Sequence, residues 1–223
     1  MKTSRRELMQ LYRRLYRHYG DLQWWPGDSP LEISVGAILT QNTAWTNVEK
    51  AIQRLKEARS LSVRALSRLP HKKLARLIQP AGYFNVKARR LKHFLSFLQD
   101  HYGGSLRKMF KREPFRLREE LLSVNGIGPE TADSILLYAG EKPIFVIDAY
   151  TKRIFSRHGV LSYEKSYDEF QELFMRQLPR SVTLYNQYHG MFVNIGKDFC
   201  RKRPFCASCP LNGWRGVPPL RGI

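Results

Sequence analysis

One carboxylate in this sequence stands where a side chain could act on a bound substrate. Asp148 follows the apolar run 144–147 and precedes the helix-like segment 149–154. A carboxylate held near a substrate stabilises a developing positive charge and can help to activate water. Aspartate is also favourable just before a helix, where it accepts backbone N–H bonds. The position predicts a helix cap, a catalytic carboxylate, or one residue that serves as both.

A glycine-rich turn precedes Asp148 and could bind an anion. Gly126 and Gly128 lie in this turn, and Pro129 follows at a position suited to the start of a helix. Glycines let the backbone approach a partner closely, because no Cβ intervenes. The N–H groups of such a turn and of a helix start attract anions. In a basic chain, the expected anion is a nucleic-acid phosphate.

The charge of the chain supports a polyanionic partner. Lysine and arginine number 38 against 19 acidic residues, which gives a formal net charge of +19 and a pI of about 10.2. Such an excess favours salt-sensitive binding to phosphates, and basic residues interleaved with aromatics are typical of nucleic-acid surfaces. A generally basic protein without such a partner is the alternative.

The sequence shows no targeting signal or membrane span. Its apolar stretches are shorter than the roughly 18 residues that a span needs, so no membrane association is expected. The segment 1–20 carries charges throughout, which predicts a basic amphipathic helix and excludes a secretory signal. All three cysteines lie within 200–209, which is no disulfide framework and suits a reducing compartment.

Helices are expected to position these residues, since helical periodicity is frequent and strand signals are scarce. Apolar residues recur at three- and four-residue steps in 33–55, 63–78 and 88–98. Turns rich in glycine or proline separate such segments, at 25–28, 80–82, 103–104 and 159. The pattern predicts an all-α protein with one large domain or two small interleaved ones.

Five segments together resemble one family of DNA-repair enzymes. They are WWP at 24–26, GAILTQNTAW at 36–45, PAGYFNVKARRLK at 80–92, GIGPETADSILLYA at 126–139 and VIDAY at 146–150. In these segments the chain is similar to the endonuclease III superfamily of helix-hairpin-helix DNA glycosylases. It is most similar to the 3-methyladenine DNA glycosylase branch of that superfamily.

The resemblance implies an all-α, two-lobed fold with a cleft between the lobes. One domain would combine the N- and C-terminal helices, residues 1–29 and 141–223, and would include a cysteine loop at 200–209. The other would be the central helical domain, 30–140, with the helix-hairpin-helix motif at about 115–139. DNA and the flipped base would bind in the cleft.

The resemblance assigns the chemistry to two acidic positions. Asp148 matches the catalytic carboxylate, which stabilises the oxocarbenium-like sugar formed when an N-glycosidic bond breaks. Glu130 occupies the position where members that also cleave the strand carry a lysine. That lysine forms a Schiff base with the sugar, which a carboxylate cannot do. This departure predicts a monofunctional enzyme, although Glu130 is also explained as a first-turn acid favoured by the helix dipole.

Aromatic residues could form the pocket for the base. The resemblance gives this role to Trp24, Trp25, Pro26 and Trp45, with Lys197 as a basic residue near the pocket. Electron-rich rings stack on flipped bases and favour cationic ones, such as purines alkylated at N3 or N7. The alternatives are tryptophans in the core and, for Lys197, a surface contact with phosphate.

One loop and the hairpin are expected to contact DNA. The resemblance places Gln41 where a polar side chain fills the space left by the flipped nucleotide, with a helix-capping amide as the alternative. The hairpin residues expected at the DNA are Asn125, Gly126, Ile127, Gly128 and Thr131. The partner would be double-stranded DNA containing a damaged base, bound by a monomer.

The cysteines resemble an incomplete iron–sulfur loop. Cys200, Cys206 and Cys209 are spaced similarly to the endonuclease III loop, in which four thiolates hold a four-iron cluster. No cysteine follows Cys209, and the first gap is one residue short. A 4Fe-4S cluster would therefore need a non-cysteine or external ligand. A three-ligand zinc site is one alternative, and a degenerate basic loop that still contacts DNA is favoured.

The sequence predicts a DNA glycosylase of base excision repair that hydrolyses the N-glycosidic bond of alkylated purines such as 3-methyladenine. It would leave an abasic site and require no cofactor for catalysis. The alternatives are a glycosylase for mismatched or deaminated bases and a non-catalytic helix-hairpin-helix DNA-binding protein. Asp148 argues against the second alternative, and Glu130 argues against an AP lyase. The expected location is cytoplasmic and associated with the nucleoid.

Overall fold

The computed structural model describes residues 3–216, which are built from helices. Twelve α-helices and short 3-10 and π-type turns occur in this range, and it contains no β-strand. The predicted all-α class is therefore confirmed. In the described part of the chain, no helix is long and apolar enough to cross a membrane.

In chain order the α-helices are α1 (Arg5–Tyr19), α2 (Pro30–Leu39), α3 (Trp45–Glu57), α4 (Val63–Arg68), α5 (His71–Leu77), α6 (Phe84–Tyr102), α7 (Leu106–Met109), α8 (Pro114–Leu122), α9 (Pro129–Ser134), α10 (Ala149–Arg157), α11 (Tyr167–Gln177) and α12 (Val182–Asp198). The chain divides into two compact units. The terminal unit comprises the described residues up to Trp25 and from Pro143 onward, and the central unit comprises Pro26–Lys142.

Aromatic rings form the core of the terminal unit. Phe145 stacks on Phe174 with ring centroids 4.1 Å apart, and Phe155, Tyr188 and Phe192 surround this pair. All five rings are fully buried. Helices α10 and α12 pack against each other around this core. Their packing holds the start of α10 beside the middle of α12.

A buried lysine supports a loop of the central unit. Lys87 on α6 is 1% exposed, and its Nζ donates to the carbonyl oxygens of Leu39 at 2.8 Å and Ala81 at 2.7 Å. Burial, with a smaller contribution from the nearby Arg90, lowers the pKa of Lys87 to about 8. The amine satisfies a carbonyl at the C-terminal end of α2 and so fixes the start of the loop 40–44.

The helix-hairpin-helix motif consists of α8, the turn 123–128 and α9, which continues as a π-type turn over Ile135–Ala139. Arg118 on α8 donates to both carboxylate oxygens of Asp133 on α9, at 2.7 and 3.2 Å. The Asp133 side chain is fully buried. Removing one partner of a buried pair costs about 3–5 kcal/mol, so this contact fixes the two helices of the motif.

Candidate active site and hairpin surface

Asp148 caps α10 with one of its two carboxylate oxygens. Its backbone is extended, and Oδ1 accepts hydrogen bonds from the Thr151 backbone N–H and the Thr151 hydroxyl, both at 2.7 Å. The Asp148 side chain is only 9% exposed. The capping role expected from the sequence is present, and it leaves Oδ2 directed elsewhere.

The second oxygen of Asp148 faces a buried histidine. Nε2 of His189, on α12, lies 3.6 Å from Oδ2, and the His189 side chain is 5% exposed. Burial works to raise the pKa of Asp148, but His189 and the bonds from Thr151 outweigh it and hold this pKa below its usual range. The carboxylate is therefore ionised at neutral pH despite its burial.

Two of the predicted pocket tryptophans lie beside this pair. The Trp24 ring rests on α12 at Gly190, where an added Cβ would lie 2.8 Å from the ring. Its centroid is 6.4 Å from that of His189 and 6.3 Å from that of Trp25, in near-perpendicular arrangements. Both tryptophans are half-buried. The terminal unit thus places Trp24 against the histidine that faces Asp148 and Trp25 against Trp24, in part through a packing contact that fits the core alternative.

Lys197 lies apart from this group. It is exposed in the last turn of α12, eight residues beyond His189. That spacing corresponds to about 12 Å along a helix axis. Its backbone carbonyl accepts a bond from Arg201 Nε at 2.5 Å, which ties the helix end to the cysteine loop.

Two arginines from α10 hold the cysteine loop. The buried Arg157 donates through Nη1 to Cys200 Sγ at 3.3 Å and to the Arg201 carbonyl at 2.6 Å. Arg153 donates through Nε to the Cys200 carbonyl at 2.7 Å and through Nη2 to the Gly196 carbonyl at 3.1 Å. The start of this loop is braced by side-chain hydrogen bonds from the helix that Asp148 caps.

The three thiols do not form a metal site in this conformation. Cys200, Cys206 and Cys209 are free and line one small cavity. Burial raises the pKa of the Cys209 thiol to about 11. Within residues 3–216, no group of three His, Cys, Asp or Glu residues is arranged to hold a metal ion.

Within residues 3–216, the side chains beside the cysteines do not supply a fourth ligand. Arg215, which follows the last cysteine, donates to the Thr3 hydroxyl at 2.8 Å and pairs with Glu7 at 3.6 Å. Asp198 accepts a bond from the Tyr19 hydroxyl at 3.0 Å. The residues present in this region therefore do not fit a four-iron cluster with four protein ligands.

Gln41 is bonded to the hairpin in the central unit. Its Nε2 donates to the Gly126 carbonyl at 3.1 Å and to the Thr131 hydroxyl at 2.8 Å, and its Oε1 accepts a bond from Arg90 Nη1. The amide joins the loop after α2 to the hairpin turn and to α6. The structure thus joins Gln41, predicted to contact DNA from its loop, to Gly126 and Thr131, predicted to contact DNA from the hairpin.

The two hairpin glycines have different surroundings. Gly126 has a φ of +91°, and a Cβ there would lie 2.3 Å from Arg90 Cγ. Gly128 has an extended backbone with a φ of −93°, and a Cβ there would meet no atom within 4 Å. Ile127 is buried, whereas Asn125 is exposed and its carbonyl accepts a bond from His93 Nδ1 at 3.0 Å. Of the turn residues predicted to contact DNA, Asn125 and Gly128 are the exposed ones.

The remaining predicted residues of the central unit are more exposed. Glu130 is exposed in the first turn of α9, and Pro26 is exposed at the start of the unit. Trp45 is half-buried, with Nε1 donating to Glu49 at 2.9 Å and its six-membered ring against Gly36. Trp45 therefore has a packing role on α2 in addition to any contact with a base.

Two residues at these sites were missed from the sequence, His189 and Arg90, and so was the exposed Tyr83 elsewhere in the central unit. His189 lies in a helix that reads as core, and its neighbour Gly190 was the only local signal. Arg90 reads as one more surface cation. Tyr83 is 68% exposed and has a φ of +44° after Gly82, so it stands out from the surface of the central unit.

Comparison with known proteins assigns the family. The description "HhH-GPD superfamily base excision DNA repair protein" matches residues 35–180. The chain belongs to this superfamily. Its members include DNA glycosylases with the helix-hairpin-helix motif, so the resemblance seen in the five sequence segments is confirmed.

Individual relatives agree with this assignment. A candidate DNA repair glycosylase of Methanocaldococcus jannaschii is 46% identical over 214 residues, which cover 95% of this chain and 97% of that protein. Endonuclease III of Thermotoga maritima is 29% identical over 181 residues, or 81% of this chain and 79% of that protein. These lengths show that the similarity extends well beyond the hairpin.

Solved structures share the fold. The 3-methyladenine DNA glycosylase of H. pylori, bound to 1,N6-ethenoadenine, has a TM-score of 0.76 and 27% identity, covering 87% of this chain and 98% of that one. A trapped endonuclease III–DNA covalent intermediate has a TM-score of 0.80 and 22% identity, covering 94% of each chain. The helix-hairpin-helix glycosylase fold is thereby confirmed.

Proposed function

We propose that this DNA glycosylase is monofunctional and removes alkylated purines such as 3-methyladenine from double-stranded DNA. The observation that carries the proposal is the buried Asp148 carboxylate, held in the same unit as Trp24 and Trp25. The product is an abasic site, and the active form is a monomer. No bound cofactor takes part in the reaction.

The chemistry follows from where the charge develops. Breaking the N-glycosidic bond moves its electron pair to the base and leaves positive charge on the sugar. A purine alkylated at N3 or N7 is cationic, so it departs as a neutral base and needs no added proton. The ionised Asp148 stabilises the positive sugar, after which water adds to the anomeric carbon and releases a proton.

The aromatic pair supports a cationic base as the substrate. The face of an indole attracts a cation by roughly 0.5–2 kcal/mol, depending on how much water is excluded. Trp24 and Trp25 are half-buried and nearly perpendicular, so they can present a face and an edge to one ring. The 3-methyladenine DNA glycosylase of H. pylori is similar over most of the chain. Pro26 and Trp45 stay predicted contacts of the base, and the exposed Lys197 is assigned a contact with phosphate.

Glu130 supports hydrolysis without strand cleavage. The position is exposed in the first turn of α9, where a side chain can meet DNA. A carboxylate there cannot form the imine that a lyase needs. Some relatives, such as endonuclease III of T. maritima, carry a name that refers to strand cleavage. We propose that this chain differs from them at that step.

The open side of the hairpin turn is the proposed DNA-binding surface. Gly128 has free space beside it, and Asn125 and Tyr83 are exposed in the same unit. Gln41 would fill the space left by a flipped nucleotide after exchanging its hairpin bonds for bonds to the unpaired base. Ile127 and Thr131 are buried, so they would contribute through the backbone and through packing.

Base release from methylated duplex DNA tests this proposal. The full chain is incubated with the duplex, and the released bases are identified chromatographically while the strands are checked for nicks. We expect 3-methyladenine and unbroken strands until alkali is added. Release of only thymine or uracil from mismatched or deaminated duplexes would favour the alternative substrate class. Duplex binding without release of any base would favour a non-catalytic DNA-binding protein.

A further inference from the structure

A buried contact on α12 distinguishes the two oxygens of the Asp148 carboxylate. We propose that His189 is a positioning residue that acts through Asp148 Oδ2 and fixes the charged oxygen that faces the sugar. This inference rests on the proposed glycosylase function. It adds a residue that the sequence motifs do not contain and that lies on a different helix from the carboxylate.

The two oxygens have separate partners. Oδ1 accepts both bonds from Thr151 at 2.7 Å, so it belongs to the cap of α10. Oδ2 lies 3.6 Å from Nε2 of His189, and both side chains are at most 9% exposed. Thr151 alone would leave the carboxylate free to tilt about its Cβ–Cγ bond. A second contact from another helix removes that freedom.

Burial gives the histidine a second effect. A carboxylate taken out of water tends to be protonated unless hydrogen bonds or charge favour the ionised form. Here the balance of burial, His189 and Thr151 holds the pKa of Asp148 below its usual range. Loss of the histidine would leave burial opposed by Thr151 alone. The ionised fraction of Asp148 would fall, and Oδ2 would no longer be fixed in one direction.

Histidine at this position can act as a hydrogen-bond donor. An imidazole that carries a proton on Nε2 can donate it to Oδ2, the carboxylate oxygen that Nε2 faces. The Nε2–Oδ2 distance needs to shorten by only about 0.4 Å to reach ordinary hydrogen-bond length.

The Trp24 ring also contacts His189. The Trp24 ring packs edge-to-face with the imidazole at a centroid distance of 6.4 Å, and it rests on the adjacent Gly190. A side chain at 190 would collide with the ring, because a Cβ there would be 2.8 Å from it. His189 therefore contacts both the Trp24 ring and the carboxylate, and both contacts restrict the position of the imidazole.

Two variants test the contact. His189→Leu introduces an apolar side chain of similar size that has no donor. His189→Gln retains an N–H at about the distance of Nε2 from the backbone. Single-turnover excision, measured on a duplex from which the wild type releases a base, should fall about tenfold to a hundredfold in the Leu variant. Duplex affinity should stay within about twofold, and the Gln variant should recover most of the lost rate.

Two controls separate positioning from stability. His158 is another buried histidine of the terminal unit, packed on Trp214, and His158→Leu should change the melting temperature without changing excision by folded protein. In an Asp148→Asn background, His189→Leu should cause no further loss of rate, because the histidine acts through the carboxylate.

Each outcome supports or overturns the inference. A normal excision rate for His189→Leu, a failure of Gln to restore the rate, or a full additional loss in the Asp148→Asn background would overturn it. If His189→Leu does not fold, His189→Asn serves as the donor-removing variant, because its amide ends short of the Nε2 position. A wild-type protein that excises no base at all would instead contradict the proposed function.

Discussion

A methyl group added to either hairpin glycine tests the DNA surface, because one position should lose stability and the other should lose affinity for DNA. Gly126→Ala and Gly128→Ala add the same atom two residues apart in one turn. A Cβ at 126 would lie 2.3 Å from Arg90 Cγ at a φ of +91°, whereas a Cβ at 128 has no neighbour within 4 Å. Each variant serves as the control for the other.

The structure sets the expected magnitudes. At Gly126, the strained backbone costs about 1–3 kcal/mol. Arg90 must also move and lose its bond to Gln41, which costs about 1 kcal/mol more. The free energy of unfolding should fall by about 2–4 kcal/mol, which lowers the melting temperature by at least about 4 °C. At Gly128, stability should stay within about 0.5 kcal/mol of the wild type.

Binding to undamaged duplex DNA at fixed salt gives the second readout. Gly128→Ala should lose about tenfold in affinity, or roughly 1.4 kcal/mol, because the methyl group holds phosphate away from the turn. The loss should be equal on damaged and undamaged DNA. If Gly128→Ala bound DNA as tightly as the wild type, the turn would not belong to the DNA-binding surface. An unchanged melting temperature for Gly126→Ala would contradict the contact between Gly126 and Arg90.

Three further predictions concern the lyase step, the base pocket and acid stability. Borohydride should not trap the protein on abasic DNA, because Glu130 replaces the amine, and efficient trapping would mean that another lysine is the nucleophile. Trp25→Ala should reduce excision of cationic bases about tenfold and of neutral bases less, whereas equal losses with a lower melting temperature would assign Trp25 to the core. Burial lowers the pKa of His158 to about 4, so the unfolded chain binds the extra proton between this value and about 6.5. The free energy of unfolding should therefore fall with decreasing pH in that window, by up to about 1.4 kcal/mol per pH unit. In His158→Leu, the free energy of unfolding measured with urea should depend less steeply on pH in the same window.

Much of the fold could be predicted because its determinants are local. Apolar periodicity and the glycine and proline positions indicated an all-α chain with a helical hairpin, and the structure confirms that class. Lys87 shows where such reasoning ends. A lysine in a basic helix reads as exposed, yet here it is buried because carbonyls of Leu39 and Ala81 converge on it. That convergence depends on tertiary packing.

The candidate site was predictable only in part for the same reason. Asp148 could be singled out because its role as a helix cap and its place in the VIDAY segment are both visible in the sequence. Its partner His189 comes from a helix far along the chain, and the packing of α10 on α12 creates the contact. The glycines of the turn looked equivalent, and only the backbone angles and the position of Arg90 distinguish them.

The most direct test of the central claim is the excision rate of Asp148→Asn. Asparagine caps a helix as well as aspartate does, so the bonds from Thr151 can be retained while the negative charge is lost. Asp198→Asn, on the exposed end of α12, is the matched control. Single-turnover excision of 3-methyladenine should fall by about a hundredfold or more in Asp148→Asn, with duplex affinity and melting temperature near the wild type and Asp198→Asn unaffected. Near-normal excision by Asp148→Asn would contradict the assignment of this carboxylate as the catalytic group.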